Sequence, residues 1–173
     1  MPPKILFEDE DLMVVDKPPG LVVDRSETQT GLTLEDWLSE NYDNKLERGG
    51  IVHRLDKDTS GIILIAKTQN ALENLQAQFK MRKTKKEYLA LVHGLVETSG
   101  KVEGNIGRNP QKREKFTVLE EEGKEAVTEY EPIKLLVMSS EFIEKTFESF
   151  NKIQMRKLQT MNYQLYTLLV ARP

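Results

Sequence analysis

The sequence of 173 residues contains no cysteine and only two histidines, His53 and His93. Disulfide bonds and thiolate metal sites are therefore excluded, and two histidines cannot build a histidine-rich zinc site. No apolar run approaches the length that spans a membrane, and the segment Met1 to Lys4 lacks the apolar region of a signal peptide. These absences lead us to expect a cytoplasmic protein without membrane contact.

Charge is distributed unevenly along the chain, although the net charge is only −3. Residues 48–115 carry 14 basic and 7 acidic side chains, whereas residues 1–47 carry 4 basic and 12 acidic ones. A basic middle segment in an acidic chain is typical of a local site for a polyanion. A solvated charged surface produces the same pattern, so charge alone leaves both interpretations open.

Apolar periodicity predicts more strands than helices. Strands are predicted near residues 4–8, 12–16, 61–67, 88–94, 101–106, 115–119, 125–136 and 163–170. Helices are predicted from Thr33 to Tyr42, with Thr33 as N-cap, and from Thr68 to about Phe79. Because hairpin-like neighbours dominate, the pattern favours an α+β fold with a largely antiparallel mixed sheet and flanking helices.

Two segments have a more specific pattern. The run Gly61 to Lys67 is apolar up to Ala66, which predicts a strand buried on both faces. Residues 139–161 instead show helical spacing, with Phe142, Thr146 and Phe150 recurring on one face. Acidic residues come early and basic residues late in that segment, as the helix dipole favours. We therefore predict a helical insertion at 139–161.

The densest polar cluster is His53-Arg54-Leu55-Asp56-Lys57-Asp58-Thr59-Ser60-Gly61, directly before an apolar strand. Asp, Thr, Ser and Gly are common turn residues, so local composition is explained by a simple turn. Loops held by rigid strands are also where catalytic groups concentrate. Composition alone does not decide between the two.

The order of residues in this cluster resembles the signature of the RluA-like family of RNA pseudouridine synthases. Other segments resemble the same family in the same order. They are Val15 to Val22, Lys86-Glu87-Tyr88 with Leu91 to Gly94, Ile106-Gly107-Arg108 with Arg113, and Gly123 to Tyr130. The resemblance covers about residues 5–133 and resumes at about 163–173. It implies a pseudouridine synthase-like catalytic fold.

The resemblance also implies a reaction and a set of roles. The family breaks the N-glycosidic bond of a uridine, turns the base and rejoins it to the same ribose through carbon. Its essential aspartate falls on Asp56, not on Asp58, as nucleophile at the sugar or as base toward a sugar proton, two roles that the sequence leaves open. Its base-stacking tyrosine falls on Tyr88, and the arginine that enters the RNA falls on Arg54.

Further expectations concern RNA contacts. His53 is interpreted as structural or RNA-facing rather than as a proton shuttle, while Lys86, Arg108 and Arg113 are expected to contact phosphates. The resemblance implies an RNA substrate, ribosomal or transfer RNA, and no cofactor or metal. We expect a monomer when the domain is complete.

The chain departs from the family near its C-terminus. The family's later motif, Thr-Gly-Arg-Thr-His-Gln-Ile-Arg, would follow a strand like Tyr166 to Pro173, and Arg172 does not match its basic residue. We therefore expect residues 1–173 to be a partial catalytic domain whose last strand, 163–170, lacks a neighbour. Two alternatives stay open: a catalytically impaired RNA-binding remnant, and glycosidase-like hydrolysis, which usually needs a second positioned carboxylate.

Overall fold

The structure is a computed structural model and describes residues 2–26, 30–43, 45–113, 115–138, 142–146 and 164–173. The chain divides into two compact units, Met1–Thr84 and Lys85–Pro173. No helix among the described residues is both long enough and apolar enough to cross a membrane.

The first unit is a three-stranded antiparallel sheet with two helices. Its elements are β1 (Lys4–Glu8), β2 (Leu12–Lys17), α1 (Leu34–Asn41), a short 3-10 turn (Glu47–Gly50), β3 (Gly61–Ala66) and α2 (Gln69–Lys80). The strand order is β1-β2-β3, and α2 contacts β3. The turn between β1 and β2 is closed by Asp9, whose carboxylate accepts from the backbone N–H groups of Asp11 and Leu12 at 2.9 and 2.8 Å.

Both helices begin at the threonines that the sequence predicts. Thr33 Oγ1 accepts from the Asp36 N–H at 3.1 Å, and the Asp36 carboxylate accepts from the Thr33 N–H at 2.8 Å. This reciprocal pair is a capping box, which satisfies backbone donors that the first turn leaves unpaired. Thr68 Oγ1 accepts from the Ala71 N–H at 3.3 Å, a single hydrogen bond that caps α2.

The core of the first unit lies between the inner face of its sheet and its helices. Its buried apolar side chains are Met13, Val15, Val23, Leu34, Leu38, Ile51, Leu55, Ile63, Ile65, Ala66 and Leu72. The prediction that residues 61–67 are buried on both faces is wrong, because Ile62 is 57% exposed. Ile63 and Ile65 alternate with it and are fully buried, so the sheet has one covered face and one open face.

The second unit is an antiparallel sheet with strand order β4-β9-β7-β5-β6 and with β8 paired to β7. Its strands are β4 (Tyr88–His93), β5 (Gly100–Arg108), β6 (Phe116–Leu119), β7 (Lys124–Met138), β8 (Phe142–Thr146) and β9 (Gln164–Arg172). Among its described residues, Leu135, Thr167 and Leu169 are buried. Thr167 Oγ1 donates to the Gly94 carbonyl at 2.9 Å and accepts from the Val96 N–H at 3.0 Å, which ties the turn after β4 to β9.

Two predictions for the C-terminal part are wrong. Residues 142–146 form strand β8, paired with Lys134 to Met138 of β7, rather than part of a helix. Residues 139–141 and 147–161 of the predicted helical insertion lie outside the described residues. The last strand does not lack neighbours, because β9 pairs with β4 along one edge and with β7 along the other. The predicted α+β class with largely antiparallel sheets is confirmed.

Candidate active site

Asp56 lies on an exposed loop between Ile51 and β3. Ile51 forms an isolated antiparallel bridge with Ile65, so the segment that leads into the loop is fixed against the sheet. Leu55 is 7% exposed and anchors the loop in the core, while Asp56 faces outward. The Thr59 N–H donates to the Asp56 carbonyl at 3.2 Å, which closes a turn directly after the carboxylate. Asp56 is therefore presented to solvent from a fixed backbone.

The loop is held from the inside by Lys17, the last residue of β2. The side chain of Lys17 is fully buried, and its Nζ donates to the carbonyls of Pro18, Leu21 and Lys57 at 3.1, 2.8 and 3.0 Å. The Gly20 N–H also donates to the Lys57 carbonyl, at 2.8 Å. Burial lowers the pKa of the Lys17 ammonium, and the carboxylates of Asp58 and Asp56 oppose that shift.

Sequence reasoning missed this role of Lys17, although a signal for it exists. Met13, Val15 and Lys17 alternate along β2 and are all buried, so the strand period places the lysine on the core face. A lysine at such a position requires hydrogen-bond acceptors, because an unpaired buried ammonium is costly. The backbone carbonyl of Lys57, the residue after Asp56, is one of those acceptors.

His53 anchors the other side of the loop. Its ring stacks on Phe79 of α2 with centroids 4.6 Å apart and an interplanar angle of 24°. Its Nε2 accepts a hydrogen bond from the Leu64 N–H of β3 at 3.1 Å. Because an accepting nitrogen carries no proton, this contact requires the Nε2 of His53 to be unprotonated. The contacts favour the structural interpretation of His53 over a proton shuttle.

Arg54 is exposed and paired with a carboxylate. Its Nη1 lies 3.0 Å from Oδ2 of Asp24, and 65% of its side chain is exposed. The other carboxylate oxygen of Asp24 pairs with Arg48. Arg48 has a φ of 51°, a left-handed conformation that is uncommon outside glycine. Asp24 thus holds two guanidinium groups, one of them two residues from Asp56.

The remaining predicted site residues belong to the second unit. Tyr88 is the first residue of β4 and is partly buried, and Lys86 precedes it on the surface. Arg108 ends β5, and Arg113 lies in the exposed loop that follows. Arg172 pairs with Glu87 at 2.9 Å and with Glu131 at 3.3 Å. The Glu87 carboxylate raises the pKa of Arg172. Both ion pairs of Arg172 join residues of the second unit.

The structure therefore groups His53, Arg54 and Asp56 in the first unit and Lys86, Tyr88, Arg108 and Arg113 in the second. Within the part of the chain that the structure describes, no group of three His, Asp or Glu residues could hold a metal ion. The groups available for chemistry are carboxylates, guanidinium groups, ammonium groups and an aromatic ring.

Comparison with known proteins gives consistent matches. The sequence profile of RNA pseudouridylate synthase matches residues 11–167. The chain is 47% identical over 136 residues to an uncharacterized RNA pseudouridine synthase of Aquifex aeolicus, a match that covers 75% of this chain and 43% of that protein. It is 42% identical over 142 residues to the ribosomal large subunit pseudouridine synthase D of Nitrosomonas europaea, covering 81% of this chain and 41% of that one.

Solved structures show the same fold. Human RNA pseudouridylate synthase domain containing 1 superimposes with a TM-score of 0.69 at 20% identity, over 98% of this chain and 59% of that one. Human RNA pseudouridylate synthase domain containing 4 gives a TM-score of 0.61 at 22% identity, over 98% and 58%. The chain spans less than half the length of the two bacterial relatives named above. The resemblance found in the motifs is confirmed: the chain belongs to the RNA pseudouridylate synthase family.

Proposed function

We propose that this protein is an RNA pseudouridine synthase that isomerises uridines in structured RNA and uses Asp56 as its catalytic carboxylate. The observation that carries the proposal is the loop of Asp56. An exposed carboxylate stands on a backbone that Lys17, Leu55 and His53 hold from the inside. A catalytic group gains most from being fixed in place before the substrate arrives.

The proposed reaction needs only what such a carboxylate can do. The bond from the ribose to N1 of uracil breaks, the base turns, and a bond from the ribose to C5 forms. The proton on C5 leaves and N1 gains one, so atoms and electrons balance without an oxidant or a reductant. Asp56 would act as nucleophile at the sugar or as base toward a sugar proton, and either role requires the carboxylate to lie within reach of the ribose. No cofactor enters the proposal.

The other predicted residues receive roles on the RNA. We assign Arg54 the role of entering the RNA, because its side chain is 65% exposed and lies two residues from Asp56 in the sequence. Tyr88 is assigned the stacking of the uracil, since an aromatic face tolerates rotation of the base. Lys86, Arg108 and Arg113 would contact phosphates, which adds affinity and salt dependence rather than sequence choice. His53 supports the loop.

Ribosomal RNA is the proposed substrate class, and the cytoplasm is the proposed location. Several relatives carry the name of ribosomal large subunit pseudouridine synthase D, at 37 to 42% identity. Transfer RNA is the second candidate. The proposed monomeric state rests on the resemblance alone.

Incubation of the purified protein with unmodified transcripts of large-subunit ribosomal RNA and of transfer RNA tests the proposal. Pseudouridine is then mapped at single-nucleotide resolution, and released uracil is quantified in the same samples. Pseudouridine in the ribosomal transcript without free uracil is the expected result. Free uracil would show hydrolysis instead of isomerisation. RNA binding without product would show an RNA-binding remnant. Product in transfer RNA alone would change the proposed substrate class from ribosomal to transfer RNA.

A further inference from the structure

An arm of the second sheet extends beyond β9. It consists of β5, β6 and residues 124–128 of β7, and those β7 residues pair with β5 before β9 joins the ladder at Glu129. The strands of the arm are antiparallel, and a seven-residue loop from Asn109 to Lys115 connects β5 to β6. The arm therefore exposes both of its faces over much of its length.

The two faces of the arm differ in chemistry. Residues that pair across antiparallel strands share a face, and alternate residues along a strand share it too. One face carries exposed apolar side chains, namely Val102, Ile106, Phe116 and Val118, at 61, 43, 62 and 67% exposure. The same face carries the cations Arg108 and Lys124, and the turn between β6 and β7 beside it carries the exposed acids Glu120, Glu121 and Glu122. The opposite face carries Lys101 and the acids Glu103, Glu125 and Glu129.

The apolar face of the arm is also the face on which Tyr88 lies. Tyr88 pairs with Ala171, Ala171 pairs with Tyr130, and Tyr130 pairs with Gly100, so these residues form one transverse row. Alternation from Gly100 along β5 then leads to Arg108. At about 3.4 Å per residue, Arg108 lies roughly 25 Å along the strand from that row. A ligand on the arm would therefore be a flanking part of the RNA rather than the target uridine.

Side-chain contacts and hydrogen bonds within the protein already order the tip of the arm, the loop from Asn109 to Lys115 with the strand ends beside it. The Arg108 guanidinium carbon lies 4.5 Å from the ring centroid of Phe116, and Arg108 Nη1 donates to the Arg113 carbonyl at 3.2 Å. The Asn109 side chain accepts from the N–H groups of Gln111 and Lys112 at 2.8 and 3.1 Å. The tip also carries the exposed cations Lys112, Arg113 and Lys115, and one acid, Glu114, which lies outside the described residues.

We infer that this face of the arm binds single-stranded RNA, with one base stacked on Phe116 beside Arg108, and with phosphates on Arg108 and on the basic loop. This inference rests on the proposed RNA substrate but not on the catalytic role of Asp56. Guanidinium planes and aromatic rings both stack with unpaired bases, and neighbouring cations track the backbone. The acids of the opposite face and of the turn between β6 and β7 repel a polyanion, so the charge distribution directs RNA toward the basic tip of the arm.

Titration with an oligouridylate of about ten nucleotides, a length within the range of single-stranded sites, tests the inference without any turnover. Phe116→Ala should weaken binding by about tenfold, which corresponds to the loss of one stacked base. Phe116→Tyr keeps the ring and should bind like the unmodified protein. Leu89→Ala is the matched control, because Leu89 is 71% exposed on the opposite face of the same sheet. A fluorescent purine analogue in the oligonucleotide should be quenched by the unmodified protein and not by Phe116→Ala.

Salt dependence separates stacking from phosphate contact. Phe116→Ala should leave the slope of affinity against salt unchanged, whereas Lys112→Gln with Arg113→Gln should reduce it by up to about 1.4. Equal affinities for Phe116→Ala and Leu89→Ala would overturn the inference. A lower sedimenting mass in Phe116→Ala, with RNA affinity unchanged, would overturn it in favour of contact with a second copy of the chain. Loss of pseudouridine formation in Asp56→Asn bears on the proposed function alone.

Discussion

The ammonium of Lys17 lies 3.0 Å from the carbonyl oxygen of Lys57, the residue that follows Asp56. The two residues are 40 positions apart in the sequence, and their contact joins the end of β2 to the candidate catalytic loop. Because Lys17 is fully buried, this hydrogen bond is shielded from water, which strengthens it. The position of the Asp56 backbone is thus set in part by a fully buried residue at the end of β2.

Lys17→Met should destabilise the protein more than it changes the chemistry. Methionine has a similar length but no donor, so the carbonyls of Pro18 and Leu21 lose their Lys17 partner, while that of Lys57 keeps the Gly20 N–H. Buried carbonyls that lose a charged donor cost about 1–3 kcal/mol each, offset in part by removal of the buried charge. We expect the free energy of unfolding, measured by urea denaturation, to fall by about 2–3 kcal/mol.

Lys57→Met is the control for that substitution. It changes an exposed lysine whose contact with Lys17 uses the backbone carbonyl, which the substitution keeps. Equal stability of Lys17→Met and the unmodified protein would show that the three hydrogen bonds contribute nothing net.

His53→Phe should preserve stacking on Phe79 and remove the acceptor for the Leu64 N–H. A backbone donor left without a partner costs about 1–3 kcal/mol, so unfolding should become easier by that amount. Hydrogen exchange at the Leu64 amide should accelerate. His93→Phe is the matched control, since His93 is exposed in the second unit and contacts the ring of Tyr166. Unchanged protection of Leu64 in His53→Phe would contradict the anchoring role.

The stability of the first unit is expected to depend on pH through the carboxyl group of Asp36. The hydroxyl of Thr33, and next its backbone N–H, lower the pKa of the Asp36 carboxyl below its usual value. A carboxyl with a lowered folded-state pKa stabilises the fold above its unfolded pKa of about 4, and that stability is lost as pH falls through the folded value. Asp36→Asn should lower the unfolding free energy by about 1 kcal/mol at neutral pH, as loss of a cap does.

The same variant should lose less further stability than the unmodified protein between about pH 5 and pH 2, because the titrating group is gone. Glu40→Gln, a surface change of equal charge in the same helix, is the control. Parallel pH profiles for Asp36→Asn and the unmodified protein would show that the capping box does not titrate.

Asp24→Asn should release Arg54 and Arg48 for contact with RNA. In the structure the Asp24 carboxylate pairs with both guanidinium groups and offsets one of their two positive charges, so RNA must compete with it. We expect tighter binding at low salt and a salt slope larger by up to about one, because one more cation meets phosphate. Glu10→Gln removes the same charge from an exposed turn and should not change the slope. Weaker binding in Asp24→Asn would show instead that Asp24 positions Arg54 productively.

Local chemistry made part of this structure predictable, and non-local pairing decided the rest. Thr33 and Thr68 cap helices because the signals lie within three residues of them. The helical spacing of Phe142 and Thr146 was misleading, because pairing with β7 outweighs a local period. The role of Lys17 depends on a carbonyl 40 residues away, which no local pattern contains.

Pseudouridine formation by Asp56→Asn is the most direct test of the central claim. The substitution keeps the size of the side chain and removes its anionic oxygen, so the rate should fall by more than about a thousandfold while RNA affinity stays nearly unchanged. Asp58→Asn, an equal change two residues along the same exposed loop, should retain activity. Single-turnover yield of mapped pseudouridine would be measured for both variants and for the unmodified protein. Substantial product from Asp56→Asn, or loss of product in Asp58→Asn alone, would contradict the assignment of Asp56 as the catalytic carboxylate.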